Sequence, residues 1–223
     1  MIRLQAVAVD AGSTPVLHPV TLELAEPSVA LVGPNGSGKS TFLRLLNGLV
    51  LPSAGRVEVD GLDPEREAAA VRRRVGFVFT DPDAQLVMPT AVEDVALSLR
   101  RLGVPRRDRD GRARALLAAQ GLGGHADAGV RELSSGQRQL LALTSVLATG
   151  PAVLVCDEPT TLLDLRHARR VADVLLAGPA QLVVATHDLD LAARCVRALW
   201  IEDGRVHRDG PAADVVAAYR TSG

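Results

Sequence analysis

The sequence predicts an α/β fold with a largely parallel sheet. Three observations carry that prediction. Short β-like runs alternate with helical patterns along the chain, as in strands joined by crossover helices. A glycine-rich loop stands between one such run and a helix. A Leu-, Ala- and Arg-rich helical stretch from about residue 91 to 124 then interrupts the alternation.

Taken in order, residues 1–7 alternate as a strand does, so no secretory signal opens the chain. Residues 29–32 read as a buried strand running into Gly33, and residues 41–48 as a helix closed by Gly48. Residues 56–60 form a strand with a turn at Gly61, and residues 75–79 another, ended by Thr80 and Asp-Pro-Asp. The helical stretch breaks at residues 103–105, Gly-Val-Pro. Its arginines, Arg106, Arg107, Arg109, Arg112 and Arg114, alternate with Asp108 and Asp110 and read as a solvated face. Residues 131–139, Arg-Glu-Leu-Ser-Ser-Gly-Gln-Arg-Gln, present a helix start with its backbone N–H groups facing outward, an end that attracts anions. That helix stops at Gly150-Pro151, and strands recur at residues 152–156 and 181–185.

Composition bounds the partners. Apolar residues are 47% and charged ones 23% of the 223, the balance of a soluble globular chain. A net charge of −1 recruits no nucleic acid non-specifically, and 2% aromatics are too few for base-stacking platforms. No apolar run reaches the roughly 18–20 residues of a membrane helix. At a membrane, another chain would have to hold this one. Cys156 and Cys195 lie in apolar segments and read as small core residues of a reduced, cytosolic protein. Of 25 cationic side chains, one, Lys39, is lysine and the other 24 are arginine. A compact, mobile ammonium is required at that position, where a planar fork would not serve.

The surroundings of Lys39 say why. Gly33, Pro34, Asn35, Gly36, Ser37, Gly38, Lys39 and Ser40 match G-x-x-x-x-G-K-[ST], followed by Thr41. In such a loop, glycines let backbone N–H groups close on phosphate oxygens, the lysine reaches the β/γ-phosphates and the serine hydroxyl coordinates Mg²⁺. Residues 153–156 lead into Asp157 and Glu158. Asp157 suits a Mg²⁺ shell at a strand end, and Glu158, pointing elsewhere by strand alternation, is placed to polarise a water. His187 follows the 181–185 run, at the strand ends where an α/β sheet gathers its ligands. His18, His125, His167 and His207 have no such setting and read as surface.

With these motifs in this order, the chain resembles an ATP-binding cassette (ABC) ATPase over essentially its whole length. Gly33–Ser40 matches the family's Walker A, Leu133-Ser134-Ser135-Gly136-Gln137 resembles its signature, Asp157-Glu158 its Walker B and catalytic glutamate, Asp164 stands at its D-loop and His187 at its switch histidine. The resemblance implies a P-loop NTPase (RecA-like) core over about 1–82 and 150–223. It adds an N-terminal antiparallel β portion, and an inserted helical signature subdomain over about 83–149. It implies ATP as substrate with Mg²⁺, and two cassettes packed head to tail as a homo- or heterodimer. Each ATP then sits between one subunit's phosphate loop and the other's Ser134–Gln137. Glu158, His187 and Lys39 would be catalytic, and Ser40, Asp157 and Thr80 would face the metal.

Residues 75–86 and 89–95 resemble the Q-loop region of energy-coupling-factor importers of vitamins and metals. Residues 157–166, with the short C-terminus, resemble the biotin transporter's ATPase. The implied partners are a transmembrane coupling subunit and a substrate-binding membrane subunit. The implied place is the cytoplasmic face of the inner membrane, as a peripheral subunit. A cobalt or nickel importer of the same type is the alternative reading. A DNA-repair or translation cassette is disfavoured, because some fifty residues between Thr80 and Leu133 leave no room for a long coiled coil. A regulatory cassette that binds ATP and hardly turns over is disfavoured by Glu158 and His187.

Three positions depart from the family. Thr80 stands where a glutamine is expected; Gln85, five residues on, is not a shifted substitute. Ala11 stands near the place of an adenine-stacking aromatic, a loss worth about 1–2 kcal/mol if stacking resembles that on nucleic acid. Ser135 replaces the first signature glycine, while Gly136 remains and predicts a working signature.

Overall fold

The computed structural model describes residues 1–222 and divides them into two compact units. The first comprises residues 1–77, 152–158 and 175 onward; the second comprises 78–151 and 159–174.

In the first unit, β1 (Ile2–Ala11) and β2 (Thr14–Leu24) form a hairpin. β3 (Ser28–Val32) leads into α1 (Lys39–Leu46), then β4 (Ala54–Val59), α2 (Ala68–Arg74) and β5 (Val75–Val78) follow. Strand order β2-β1-β4 makes an antiparallel three-stranded sheet. A six-stranded sheet has order β5-β6-β7-β3-β8-β9 once the later strands are counted, which are β6 (Val153–Asp157), β7 (Gln181–Ala185), β8 (Arg197–Glu202) and β9 (Arg205–Pro211). In it β6, β7, β3 and β8 run parallel and β9 closes the edge antiparallel. Every residue of β3 and β6 is buried, which is why both read as unbroken apolar runs. Side chains of both sheets and α1, among them Ile2, Leu24, Val29, Leu31, Phe42, Leu46, Val155 and Ile201, share one core. The antiparallel N-terminal part and the mostly parallel second sheet are the P-loop NTPase architecture that the sequence predicts.

The second unit is helical. α3 (Ala91–Arg101) opens on a capping box between Thr90 and Glu93. α4 (Arg106–Ala119) follows the predicted break at 103–105, and α5 (Ser135–Leu147) buries Leu140 through Ser145. α6 (Leu165–Ala177) starts in this unit and ends in the first, where α7 (Leu189–Ala193) and α8 (Ala212–Ser222) complete the chain. Asp94 on α3, only 4% exposed, ties the unit together. Its Oδ1 accepts the N–H groups of Val87 (3.0 Å) and Met88 (3.2 Å), and its Oδ2 accepts the Ser145 hydroxyl (2.7 Å).

Two expectations change in detail. α1 begins at Lys39, two residues before the apolar periodicity does, because Lys39 and Ser40 are its first turn. The histidines outside the strand ends are not uniformly surface. His207 is exposed, as expected, whereas His125 Nε2 lies 3.1 Å from the Gln137 amide and His167 packs on α5. His125 and His167 find these neighbours a dozen or more residues away, which local pattern does not reveal. Cys156 and Cys195 are buried, as small core residues should be, and burial pushes the Cys195 thiol up to about 11.

Candidate active site

The first unit gathers its chemistry at the C-terminal ends of β3, β6 and β7. Past β3 the chain turns through Gly33 (φ 146°), Gly36 (φ 80°) and Gly38 (φ 103°), a backbone that side chains resist. At Gly33 there is also no room. A Cβ would overlap the Ile201 carbonyl oxygen and lie 3.1 Å from both that carbonyl carbon and Ser37 Oγ. The loop curls around its own lysine. Lys39 Nζ donates to the carbonyls of Gly33 (2.7 Å) and Pro34 (3.0 Å). At 6% exposure, its ammonium is held below the usual range by burial, while the charges of Glu158 and Asp157 oppose that shift. Ser37 Oγ is buried with no hydrogen-bond partner, an orphaned donor beside the loop.

Asp157 ends β6 and accepts the Ser40 hydroxyl at 2.9 Å. Burial raises its carboxyl above the ordinary range, and the Ser40 hydrogen bond offsets part of that. A hydroxyl and a half-compensated carboxylate side by side are hard oxygen donors suited to Mg²⁺. That ion takes one or two protein oxygens and completes its shell with phosphates and water. Among the described residues there is no group of three or more His, Cys, Asp or Glu that could hold a metal ion.

Glu158 does not diverge from Asp157 by strand alternation. β6 has ended, and Glu158 adopts a left-handed backbone (φ 51°) with its N–H donating to the Ala185 carbonyl of β7 at 2.9 Å. Strain of this kind, of order 1–3 kcal/mol, concentrates at functional sites. It aims the carboxylate along β7 to the residues after it. Glu158 Oε2 accepts the His187 N–H (3.1 Å) and stands 2.7 Å from His187 Nδ1. His187 remains open to solvent, its side chain 65% exposed against 16% for Glu158. Lys39, Ser40, Asp157, Glu158 and His187 thus come together as an ammonium, a hydroxyl and carboxylate pair, and a carboxylate paired with imidazole. Such a set can bind phosphates and deprotonate a water.

In the second unit the α5 start is less bare than its sequence implies. Ser134 Oγ accepts the Gln137 N–H (3.3 Å), and Gln137 Oε1 accepts the Ser134 N–H (2.8 Å). This is a capping box, and it leaves the amides of Ser135 and Gly136 without an acceptor among the described residues. Asp164 caps α6, accepting the His167 N–H at 2.9 Å. Gln85 is bound to backbone, its Oε1 accepting the Phe79 N–H (3.3 Å) and its Nε2 donating to the Ala142 carbonyl (3.4 Å). A cavity of about 680 Å³ is lined by Leu86, Val87, Met88 and Pro89 on one side and Val130 and Arg131 on the other. Val87 is 68% exposed there. In the first unit, Ala11 ends β1 in the open.

Comparison with known proteins places this geometry. The ABC transporter family model matches residues 17–161. The chain belongs to the ABC transporter ATPases. A relative from Deinococcus radiodurans, provisionally named an ABC transporter ATP-binding protein, is 46% identical over 99% of this chain and 97% of its own. The biotin transport ATP-binding protein BioM of Rhizobium etli is 41% identical over 98% and 97%. Among solved structures, CbiO1 of Clostridium perfringens, part of the ABC transporter complex cbiONQ, superposes with a TM-score of 0.87 at 27% identity, covering 99% of this chain and 92% of that one. The ATP-binding cassette MJ0796, a dimer in a post-hydrolysis state with ADP and Pi, gives 0.83 at 30% identity, covering 95% and 99%. The protein is therefore an ATP-hydrolysing subunit of an ABC transporter, and the resemblance to energy-coupling-factor ATPases is upheld by the energy-coupling factor transporter ATP-binding protein EcfA1 of Lactiplantibacillus plantarum, 41% identical over 84% of this chain and 68% of its own.

Proposed function

We propose that this ATPase powers an energy-coupling-factor importer of a vitamin, with biotin the favoured cargo. The observation that carries the proposal is the joint placement of Lys39, Ser40, Asp157, Glu158 and His187 at the strand ends. The amides of the 33–41 loop and Lys39 hold the ATP phosphates and stabilise the charge that develops on them. Ser40 and Asp157 would hold Mg²⁺, which supplies neutralisation of phosphate charge when bound. Glu158 accepts the proton of the attacking water, and His187, fixed by Glu158, faces the γ-phosphate. A second copy contributes Ser134, Ser135, Gly136 and Gln137, whose two free amides meet the γ-phosphate. Asp164 lies beside them. The MJ0796 dimer supports that pairing.

Among the described residues no helix is long and apolar enough to cross a membrane; on this reading membrane subunits hold the ATPase at the cytoplasmic face. The cavity under Val87 and Met88 is the surface offered to the coupling subunit, and Thr80 is placed to sense it. The resemblance to BioM supports biotin; the second reading is cobalt or nickel uptake by the same machinery. Glu158→Gln tests the chemistry. With the base gone, ATP should drive a dimer that persists in gel filtration and sediments as two copies, while hydrolysis falls at least a hundredfold. Normal turnover in that variant would sink the assignment.

A further inference from the structure

His167 lies on the first turn of α6, and two contacts fix it. A helix cap needs only the bond from its backbone N–H to Asp164 Oδ1. Here the ring adds a second, with Nδ1 2.7 Å from Asp164 Oδ2, and these bonds hold the Asp164 carboxyl below its usual range. The other side of the ring rests on α5. A Cβ built on Gly136 would overlap Cγ and Cδ2 of His167 and lie 2.9 Å from its Cβ. Gly136 sits inside α5 with an ordinary helical φ, unlike the glycines of the phosphate loop. Its backbone does not require glycine; the imidazole does, because it occupies the place a side chain would take.

We infer that His167 is a positioning residue, a wedge that locks the loop carrying Asp164 to the start of α5. The two elements then meet a second copy as one piece. Held by Asp164 at Nδ1 and filling the place of a Gly136 side chain with Cγ and Cδ2, the ring sets where the free amides of Ser135 and Gly136 point. This rests on the reading above, in which those amides complete the partner's nucleotide site. It adds the device that aims them.

Two variants separate the two contacts. His167→Leu keeps bulk against Gly136 and loses the bond to Asp164, whereas His167→Asn keeps a side-chain N–H donor at the δ position. Misaimed amides should cost His167→Leu about tenfold in kcat, with ATP-analogue affinity of the isolated chain within about twofold of the parent. His167→Asn should recover to within about threefold. A further pair tests the wedge: Gly136→Ala should lose more than about tenfold in kcat, and His167→Ala in the same chain should restore part of it. A His167→Leu protein with parental kcat, or a His167→Asn protein as impaired as His167→Leu, overturns the inference. Failure of the dimer reading would show separately, as a Glu158→Gln protein that forms no ATP-dependent dimer with His167 intact.

Discussion

Asp94 offers the most direct test of how the helical unit is held together. Asp94→Ala deletes an acceptor serving three donors: the N–H groups of Val87 and Met88 and the hydroxyl of Ser145. Hydrogen bonds to an ionised group contribute about 1.5–3 kcal/mol each when their loss leaves a buried partner unpaired. Ser145, 6% exposed, has no route to water, so its arm counts in full, at about 2 kcal/mol. Val87 is 68% exposed, so the two amides can recruit solvent and cost about 0.5 kcal/mol each. The sum, about 3 kcal/mol, lowers Tm by roughly 6–12 °C at this chain length. Asp94→Asn can accept from both amides and donate to Ser145, and should cost under about 1.5 kcal/mol. Urea unfolding of the isolated chain measures both, together with Ser145→Ala and the double variant, whose coupling should exceed about 1 kcal/mol. A loss below about 0.5 kcal/mol in Asp94→Ala would refute the reasoning. If the cavity lined by Val87 and Met88 is the coupling subunit's dock, as proposed, the same variant should also weaken assembly with it.

Two further outcomes follow from the D-loop and the signature. Leu162 is 91% exposed and holds a left-handed backbone (φ 63°) that costs a non-glycine residue about 1–2 kcal/mol, so Leu162→Gly should leave isolated-chain stability unchanged or raise it by up to about 1 kcal/mol, after the extra chain entropy of glycine. If the exposed Leu162 meets the second copy in the proposed dimer, the same change should weaken the ATP-bound dimer about tenfold or more; a Leu162→Gly dimer as tight as the parent's would contradict this. Ser135→Gly should change ATPase activity of the assembled complex by less than tenfold if, as proposed, the amides rather than the Ser135 side chain face the partner's phosphate. A tenfold rise would show that the serine impairs the motor.

Much of the first unit was legible because phosphate chemistry dictates residue types at fixed spacing. Gly33 through Ser40 declare a loop, and the lone lysine marks its centre. The buried strands β3, β6 and β7 were legible because both their faces are covered and each carries an unbroken apolar run of four residues, 29–32, 153–156 and 182–185. Other elements were not. β2 carries Pro15 and Pro19, which break the alternation a strand should show. β8 is too short an apolar run to be told from a buried turn of helix by period alone. Glu158 leaves the direction of Asp157 through a left-handed φ of 51° and a bond to Ala185 on a neighbouring strand, a pairing that strand alternation does not reveal. The capping box at Ser134 and Gln137 lay open in the sequence as S-x-x-Q and closes part of a helix end that looked bare. Asp94 and His167 gave no local signal, because the groups they serve, Ser145 and Gly136, come close only when the helices pack.

The central claim is that the start of α5 completes the nucleotide site of a second copy. Mixing two inactive variants tests it most directly. Lys39→Ala removes the lysine at the phosphate loop and keeps a sound signature; Gly136→Asp does the reverse and should still bind a fluorescent ATP analogue at its own loop. Their mixed dimers carry one site with both halves intact. ATPase activity should therefore return on mixing, to at most about a quarter of the parent rate for random pairing of two-fold dimers. Activity that stays at the level of the separate variants, with ATP-analogue binding to Gly136→Asp preserved, would mean that each chain completes its own site and would contradict the account.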